Sequence, residues 1–315
     1  MIEYKGISLG SDPEVFAKDS SGKFIPAYYA LGGDVDVELG DGDNAYCDGA
    51  AVEFTVKFDY DPAIIARRTM DHLRKIDEHL RNTSGTRVSL QSQADFKEFI
   101  PKLPMSLGKR ASLQILGCDA DTVVFDWVHP IEKPDPRRYP YRTLGGHIHV
   151  GVGTEAILNI EVIQYIVAGF DMLLGTAATY LSDDQYSRDR KKLYGKSSTI
   201  RVKDSYGAIE YRTLPAKALV HDQTTAEMFF SLAKKSAYNV LHGIDKFGAY
   251  DMFDKLGGID IIQATTAAIN DHNVGDCREL QAKALSLFAE FSPISIEKEV
   301  TYFQTIKTFN DEVVF

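Results

Sequence analysis

Gly145-Gly146-His147-Ile148-His149-Val150-Gly151 sets two histidines two residues apart in an apolar run flanked by glycine. Read as a strand, the run has a side-chain period of two. Both imidazoles then point to one face, and Ile148 and Val150 to the other. Two imidazoles side by side can hold a metal or a phosphate. The flanking glycines let a ligand come close to the backbone.

The same two-residue spacing recurs with other chemistry. Asp12 and Glu14 share a face in Gly10-Ser11-Asp12-Pro13-Glu14, and carboxylates so placed can grip one hard cation. Glu53 sits in the apolar strand around Val52 and Phe54, with Asp48 just upstream. A carboxylate there must face water, a cation or a partner, because burying it alone is costly. Thr199 and Arg201 form one further pair, Glu210 and Arg212 another. Arginine offers a planar fork of donors that suits phosphate oxygens. Each pattern alone has a plain reading: a solvated turn, an edge-strand Glu, a satisfied histidine, a cross-strand ion pair of little worth. Four repeats of the same-face pattern are harder to explain that way. His72, His79, His129, His221, His242 and His272 are isolated and read as structural or surface residues. The run Arg188-Asp189-Arg190-Lys191-Lys192 reads as a solvated connection, with a mobile cation over a bound phosphate as the alternative.

Around these motifs the pattern predicts strands at Ile7 to Phe16, broken at Ser11-Asp12-Pro13, at Lys23 to Ala30, at Ala50 to Phe58 and at Arg142 to Val152. Residues 32–49 are rich in Gly and Asp and read as loop, as does the proline-rich stretch from Pro101 to Pro140. Asp61-Pro62 caps a helix running to about Arg81. Thr86 to Ser92 reads as a short strand, Ile160 to Leu181 as a long helix and Ser182 to Lys196 as a polar connection. Ser198 to Lys203 and Ala208 to Leu214 form a hairpin. Beyond Pro215 the chain reads as helical, at Thr224 to His242, Asp260 to Ile269, Asp276 to Phe291 and Ile294 to Thr308. Strands in hairpin-like groups favour an α+β fold with a largely antiparallel sheet.

Composition narrows the function classes. The 315 residues suffice for one large domain, read here as a single unit over 1–315. A net charge of -10, from 35 Lys plus Arg and 45 Asp plus Glu, disfavours sequence-independent nucleic-acid binding. Cys47, Cys118 and Cys277 lack metal-ligand spacing and are odd in number, so a reducing cytoplasmic setting is the simpler expectation. The N-terminus has no signal-peptide pattern, and Gln164 and Asp171 interrupt the most apolar stretch, so no membrane span is expected. No GxxxxGK[ST] or GxGxxG motif is present, so a nucleotide would bind on the sheet.

Taken in order, the motifs resemble the glutamine synthetase-like carboxylate–amine ligase superfamily. G-x-[DE]-x-E is matched by Gly10, Asp12 and Glu14; an acid followed by a strand Glu by Asp48 and Glu53; G-x-H-x-H by Gly145 to His149. S-x-x-I-R is matched by Ser197-Ser198-Thr199-Ile200-Arg201, and E-x-R trailed by Pro by Glu210, Arg212 and Pro215. The phrasing GSDPE, GGHIHVG and EYRTLP most resembles the phage-type COOH–NH2 ligases of type 2. The resemblance covers about residues 6–216 and leaves the helical part, about 217–315, without a readable motif. It departs from the pattern at Pro13, which should kink that strand or put it at an edge. The small N-terminal β-domain of glutamine synthetase has no counterpart before Asp12, which argues against the large ring assembly.

The resemblance implies a curved, mainly antiparallel sheet of the glutamine synthetase catalytic type with flanking helices. It implies ATP-dependent amide or isopeptide bond formation through an acyl phosphate, with Mg²⁺ or Mn²⁺ between anionic partners. Glu14, Glu53, His147 and Glu210 would bind metal, with Asp12 and Asp48 as additional ligands. His149 would face the nucleotide, Arg201 and Arg212 would hold phosphate oxygens, and Arg190 would add a cation. Glu210, Arg201 and Arg212 are the expected catalytic residues. The partners would be a small-molecule or peptide carboxylate and an amine acceptor. Two rivals stand beside this. One is a His-x-His metal oxygenase or hydrolase using Glu155 and His221; the other is an inactive nucleotide-binding or structural module.

Overall fold

The computed structural model describes residues 3–99, 112–113, 122–125 and 138–311. Most of the stretch from Pro101 to Pro140, with Cys118 and His129, lies outside the described residues, so its reading as loop has no structural counterpart. The described strands are β1 (Ser8–Ser11), β2 (Glu14–Lys18), β3 (Phe24–Ile25), β4 (Val37–Gly40), β5 (Asp43–Asp48), β6 (Ala51–Phe54), β7 (Val56–Asp59), β8 (Arg87–Ser89), β9 (Gln93–Asp95), β10 (Thr122–Val123), β11 (Tyr141–Thr143), β12 (Ile148–Gly151), β13 (Thr199–Lys203) and β14 (Ala208–Tyr211).

They form two main antiparallel sheets, in the orders β10-β13-β14-β12-β1-β7 and β3-β2-β6-β5-β4, with β8 beside β2. A small ladder pairs β11 with β9. The α+β class with antiparallel pairing is therefore present. The two main sheets share their chain: β1 leads into β2 across Asp12-Pro13, and β6 leads into β7 across Thr55. Proline cannot donate to a ladder, and here it breaks a central strand instead of marking an edge. The break is held on both sides, since Phe54 N donates to Pro13 O at 3.1 Å and Glu14 N to Gly145 O at 3.0 Å.

Alternation decides which face of the first sheet is buried. Leu9, Ile148, Val150, Ile200, Ile209 and Tyr211 are fully buried on one face. The described α-helices are α1 (Ala27–Ala30), α2 (Pro62–Ser84), α3 (Thr154–Ile157), α4 (Ile160–Phe170), α5 (Thr176–Leu181), α6 (Gln185–Leu193), α7 (Lys217–Val220), α8 (Gln223–Phe247), α9 (Ala249–Lys255), α10 (Gly258–Asn270), α11 (Val274–Phe291) and α12 (Glu297–Thr305). Helices cover that face, α2, α3, α4 and α8 among them. Of these, α8 packs on β1 and β12, on α2 and on α4. The Asp61 side chain accepts from Ala63 N and Pro62 takes the first turn of α2, as the sequence indicated.

The helix read over Ile160 to Leu181 passes through a single π-helical turn, Asp171–Gly175, between α4 and α5. It is apolar and long enough to cross a membrane, but 89% of its most apolar window is buried inside the fold. Asp171 is buried in that turn and gathers four donors. They are Ser197 Oγ at 2.6 Å, Ser198 Oγ at 2.5 Å, Ser198 N at 3.1 Å and Tyr211 Oη at 2.6 Å. Ser198 has a left-handed φ of 61°, so the carboxylate holds a strained residue at the entrance to β13.

Three local readings need correction. Residues 32–49 are not all loop, because β4 and β5 form a hairpin there. Asp43, read as a loop acid, is buried and accepts from Lys57 N at 3.0 Å and pairs with His72 Nε2 at 2.9 Å. Lys23 to Ala30 is strand only at β3 before it turns into α1. Ser182 to Lys196 carries α6, whose Asp184 cap accepts from Ser187 N.

Candidate active site

The other face of the first sheet collects the expected residues in register, with His147, Glu210 and Arg212 buried and His149 and Arg201 partly exposed. Gly10 pairs with His149, His149 with Glu210, and Glu210 with Arg201, a row across β1, β12, β14 and β13. Two residues along each chain lie Asp12, His147, Arg212 and Thr199, which make a second row on the same side. In the second sheet Glu14 pairs with Glu53, and Glu53 with Tyr46.

Two triads with metal-ligand geometry result. Asp12, His147 and Glu210 bring one ligand atom each within 4.8 Å of one another, and so do Glu14, Asp48 and Glu53. All six expected metal ligands thus fall in two adjacent clusters. In the first, His147 Nδ1 lies 2.9 Å from Asp12 Oδ1 and 3.7 Å from Glu210 Oε1. His149 Nε2 lies 3.2 Å from Asp12 Oδ2 and 3.8 Å from Glu210 Oε2. In the second, Tyr46 Oη donates to Glu53 Oε1 at 2.5 Å, and Gly145 N donates to Glu14 Oε2.

Cations surround Glu210. Arg212 Nη1 is in direct contact with its Oε1, Arg201 Nη1 lies 3.6 Å from that atom, and Lys203 Nζ lies 2.6 Å from Oε2. Lys203 and Tyr46 were missed in the sequence. The alternation Thr199, Arg201, Lys203 was the signal for the first. The loop reading of residues 32–49 hid the second.

The two clusters differ in charge balance. Burial and the neighbouring Asp48 push the Glu14 carboxyl up to about 8. Burial, with Asp12, Asp48 and Glu14 close by, holds Glu53 well above its ordinary value. That corner carries more negative charge than its protein partners neutralise. Burial also opposes ionisation of Glu210, but His147, Arg212 and His149 outweigh it and hold the carboxyl at about 2. Asp12 is held low against its burial by His149 and His147. Burial and Arg212 lower His147, whereas Asp12 overcomes burial to raise His149. Oxygen donors with one imidazole fit a hard divalent ion, and the under-neutralised acid corner gives such an ion a reason to bind.

Arg190 is corrected. It is not a mobile cation but a buried strut of α6 that donates to the carbonyls of Leu144 at 2.6 Å, Thr213 at 3.1 Å and Leu214 at 2.8 Å. It ties the histidine segment to the end of β14; the solvated reading of the run holds at Arg188 and Lys192, which are exposed, and fails at Arg190 and Lys191. Lys191 is buried too, and donates to Gly195 O at 2.5 Å. The oxygenase rival finds no support in placement. His221 is engaged by Asp222 Oδ2 at 3.0 Å and stacks near Phe309. Glu155 lines a separate cavity of about 590 Å³ with Leu241 and Asp245.

Comparison with known proteins adds a family. No curated protein matches the chain. The phage phiEco32-like COOH.NH2 ligase-type 2 family model matches residues 136–248. The matched segment holds His147, His149, Arg201, Glu210 and Arg212, and leaves Asp12, Glu14, Asp48 and Glu53 outside. It supports a carboxylate–amine ligase, and with it the assignment to the phage-type amidoligases that the ordered motifs suggested.

Proposed function

We propose that the chain is an ATP-dependent carboxylate–amine ligase that forms an amide or isopeptide bond through an acyl phosphate. The observation carrying this reading is the pair of triads, one on each main sheet and joined through Asp12-Pro13-Glu14, with three cations gathered at Glu210. ATP and a carboxylate are both anionic and repel. Mg²⁺ or Mn²⁺ held by these acids would supply the positive charge that lets the two anions approach.

This chain's residues then have separate tasks. Glu14, Asp48 and Glu53 would hold one cation, and Asp12, His147 and Glu210 the other. Arg212 and Arg201, with Lys203, place fixed positive charge where charge accumulates on the transferring phosphoryl group. Glu210 orients those cations by ion pairing and binds metal with the same carboxylate. His149 lies beside Arg201 and Glu210, where a nucleotide would lie against the sheet. A substrate carboxylate oxygen attacks the γ-phosphorus and ADP leaves. The amine nitrogen next attacks the acyl carbon, phosphate departs, and the amine loses a proton.

The test is release of phosphate from ATP by the full chain with Mg²⁺, screened over pairs of carboxylates and amines. Amine-dependent release in wild type, lost in Arg212→Lys, supports the reading. Tightly bound iron or zinc with no ATP turnover across the screen would replace it with the rival chemistry.

A further inference from the structure

The end of α6 carries a side chain that the sequence patterns did not single out. Tyr194 Oη lies 2.7 Å from His147 Nε2. The other ring nitrogen, Nδ1, shares a corner with Asp12 and Glu210. A neutral imidazole carries one proton, on one nitrogen or the other. With no cation present, an Nδ1 proton suits the 2.9 Å contact with the Asp12 carboxylate, and Nε2 accepts from the phenol. A cation between Asp12, Glu210 and His147 needs the Nδ1 lone pair, which moves the proton to Nε2. That N–H then requires an acceptor. A hydroxyl both donates and accepts, so Tyr194 stays a partner in both states.

The phenol is also fixed in place. The guanidinium carbons of Arg190 and Arg212 lie 5.1 Å and 5.3 Å from its ring centroid. Tyr194 N donates to Arg190 O at 2.8 Å, which ends α6. Gly195 follows with a φ of 70°, and a Cβ there would collide with the Arg190 guanidinium. The turn delivering the phenol therefore depends on glycine for conformation and for space.

We propose that Tyr194 is the positioning residue of the His147 imidazole, holding its plane and admitting the tautomer that presents Nδ1 to a divalent cation. The inference rests on the two-cation reading of the site. Imidazole ligands depend on such a partner, whose removal costs about 10–100-fold in metal affinity.

The experiment titrates Mn²⁺ into the full chain without nucleotide, by calorimetry and by the electron paramagnetic resonance of free Mn²⁺. Wild type should show two sites. Tyr194→Phe keeps the ring and its guanidinium contacts and removes only the oxygen. It should weaken one site about 10–100-fold and leave the other unchanged. His147→Gln should abolish the same site. The ¹⁵N shifts of His147 should report a proton moving from Nδ1 to Nε2 when diamagnetic Mg²⁺ is added to wild type. Two unaltered sites in Tyr194→Phe overturn the role of Tyr194 while leaving the two-cation reading intact. A wild type that binds no Mn²⁺ overturns both.

Discussion

Glu53→Gln should make the cation-free protein more stable at alkaline pH while removing its response to Mg²⁺. Glu14, Asp48 and Glu53 place ligand atoms within 4.8 Å of one another. At an effective dielectric of about 20, two unit charges at that separation repel by about 3 kcal/mol. Glu14 titrates at about 8 in the folded chain, against 4.5 for an ordinary Glu. A raised folded value means that the native state binds more protons than the unfolded state. Its stabilisation is complete below 4.5 and is lost as pH climbs through 8. Linkage bounds the loss from Glu14 at about 5 kcal/mol, at about 1.4 kcal/mol per pH unit. An amide at residue 53 removes the carboxyl whose ionisation burial and the neighbouring acids oppose, and can still accept from Tyr46. The gain at pH 8.5 should be about 3 kcal/mol. For a chain this long that is about 4–5 °C in melting temperature. Thermal unfolding of both proteins at pH 6 and pH 8.5, with EDTA or with millimolar Mg²⁺, measures it. Wild type should lose stability between the two pH values in EDTA and recover it in Mg²⁺. A variant less stable than wild type at pH 8.5 in EDTA, or rescued equally by Mg²⁺, would falsify the repulsion argument.

Other perturbations probe the remaining parts. Glu210→Gln strips the counter-charge from Arg212, Lys203 and Arg201 and should cost about 3–5 kcal/mol in urea unfolding at pH 7. Glu210 sits at about 2 in the fold, so its stabilisation is present above 4.5 and fades as pH falls towards 2. The gap between variant and wild type should close over that range. Asp171→Ala leaves Tyr211 Oη and Ser198 N without their acceptor and should cost about 3 kcal/mol or more in the same assay. Lys203→Ala should lower kcat about tenfold with KM for ATP nearly kept, because its charge is placed where charge builds up in the transition state; steady-state kinetics at saturating ATP measure it.

The strand period carried much of the site. His147 and His149, and Glu210 and Arg212, share a face because alternation requires it, whereas Asp12 and Glu14, read as one same-face pair, are divided by the strand break at Pro13 and fall in separate triads. Alternation is local, however, and says nothing about which strand lies beside which. The register that sets Gly10, His149, Glu210 and Arg201 in one row comes from pairing between strands as distant in the chain as those of Gly10 and His149. Composition misled in two places. Asp and Gly outweighed the alternation of β5, so Tyr46 was overlooked. The charge density of α6 suggested solvent, yet Arg190 satisfies its guanidinium with carbonyls that no sequence pattern marks. Asp171 looked like a mere interruption of an apolar helix, although it holds the entrance to β13.

The break at Asp12-Pro13-Glu14 has a metric consequence. Asp12 belongs to one triad and Glu14 to the other, with two peptide units between their Cα atoms. Extended chain spans about 7 Å over two residues, and the pyrrolidine ring stiffens the middle one. The proline therefore works as a ruler. Helices around the sheet can breathe without changing the gap between the two clusters, whereas inserting a single residue beside Pro13 would lengthen that gap and turn one acid away.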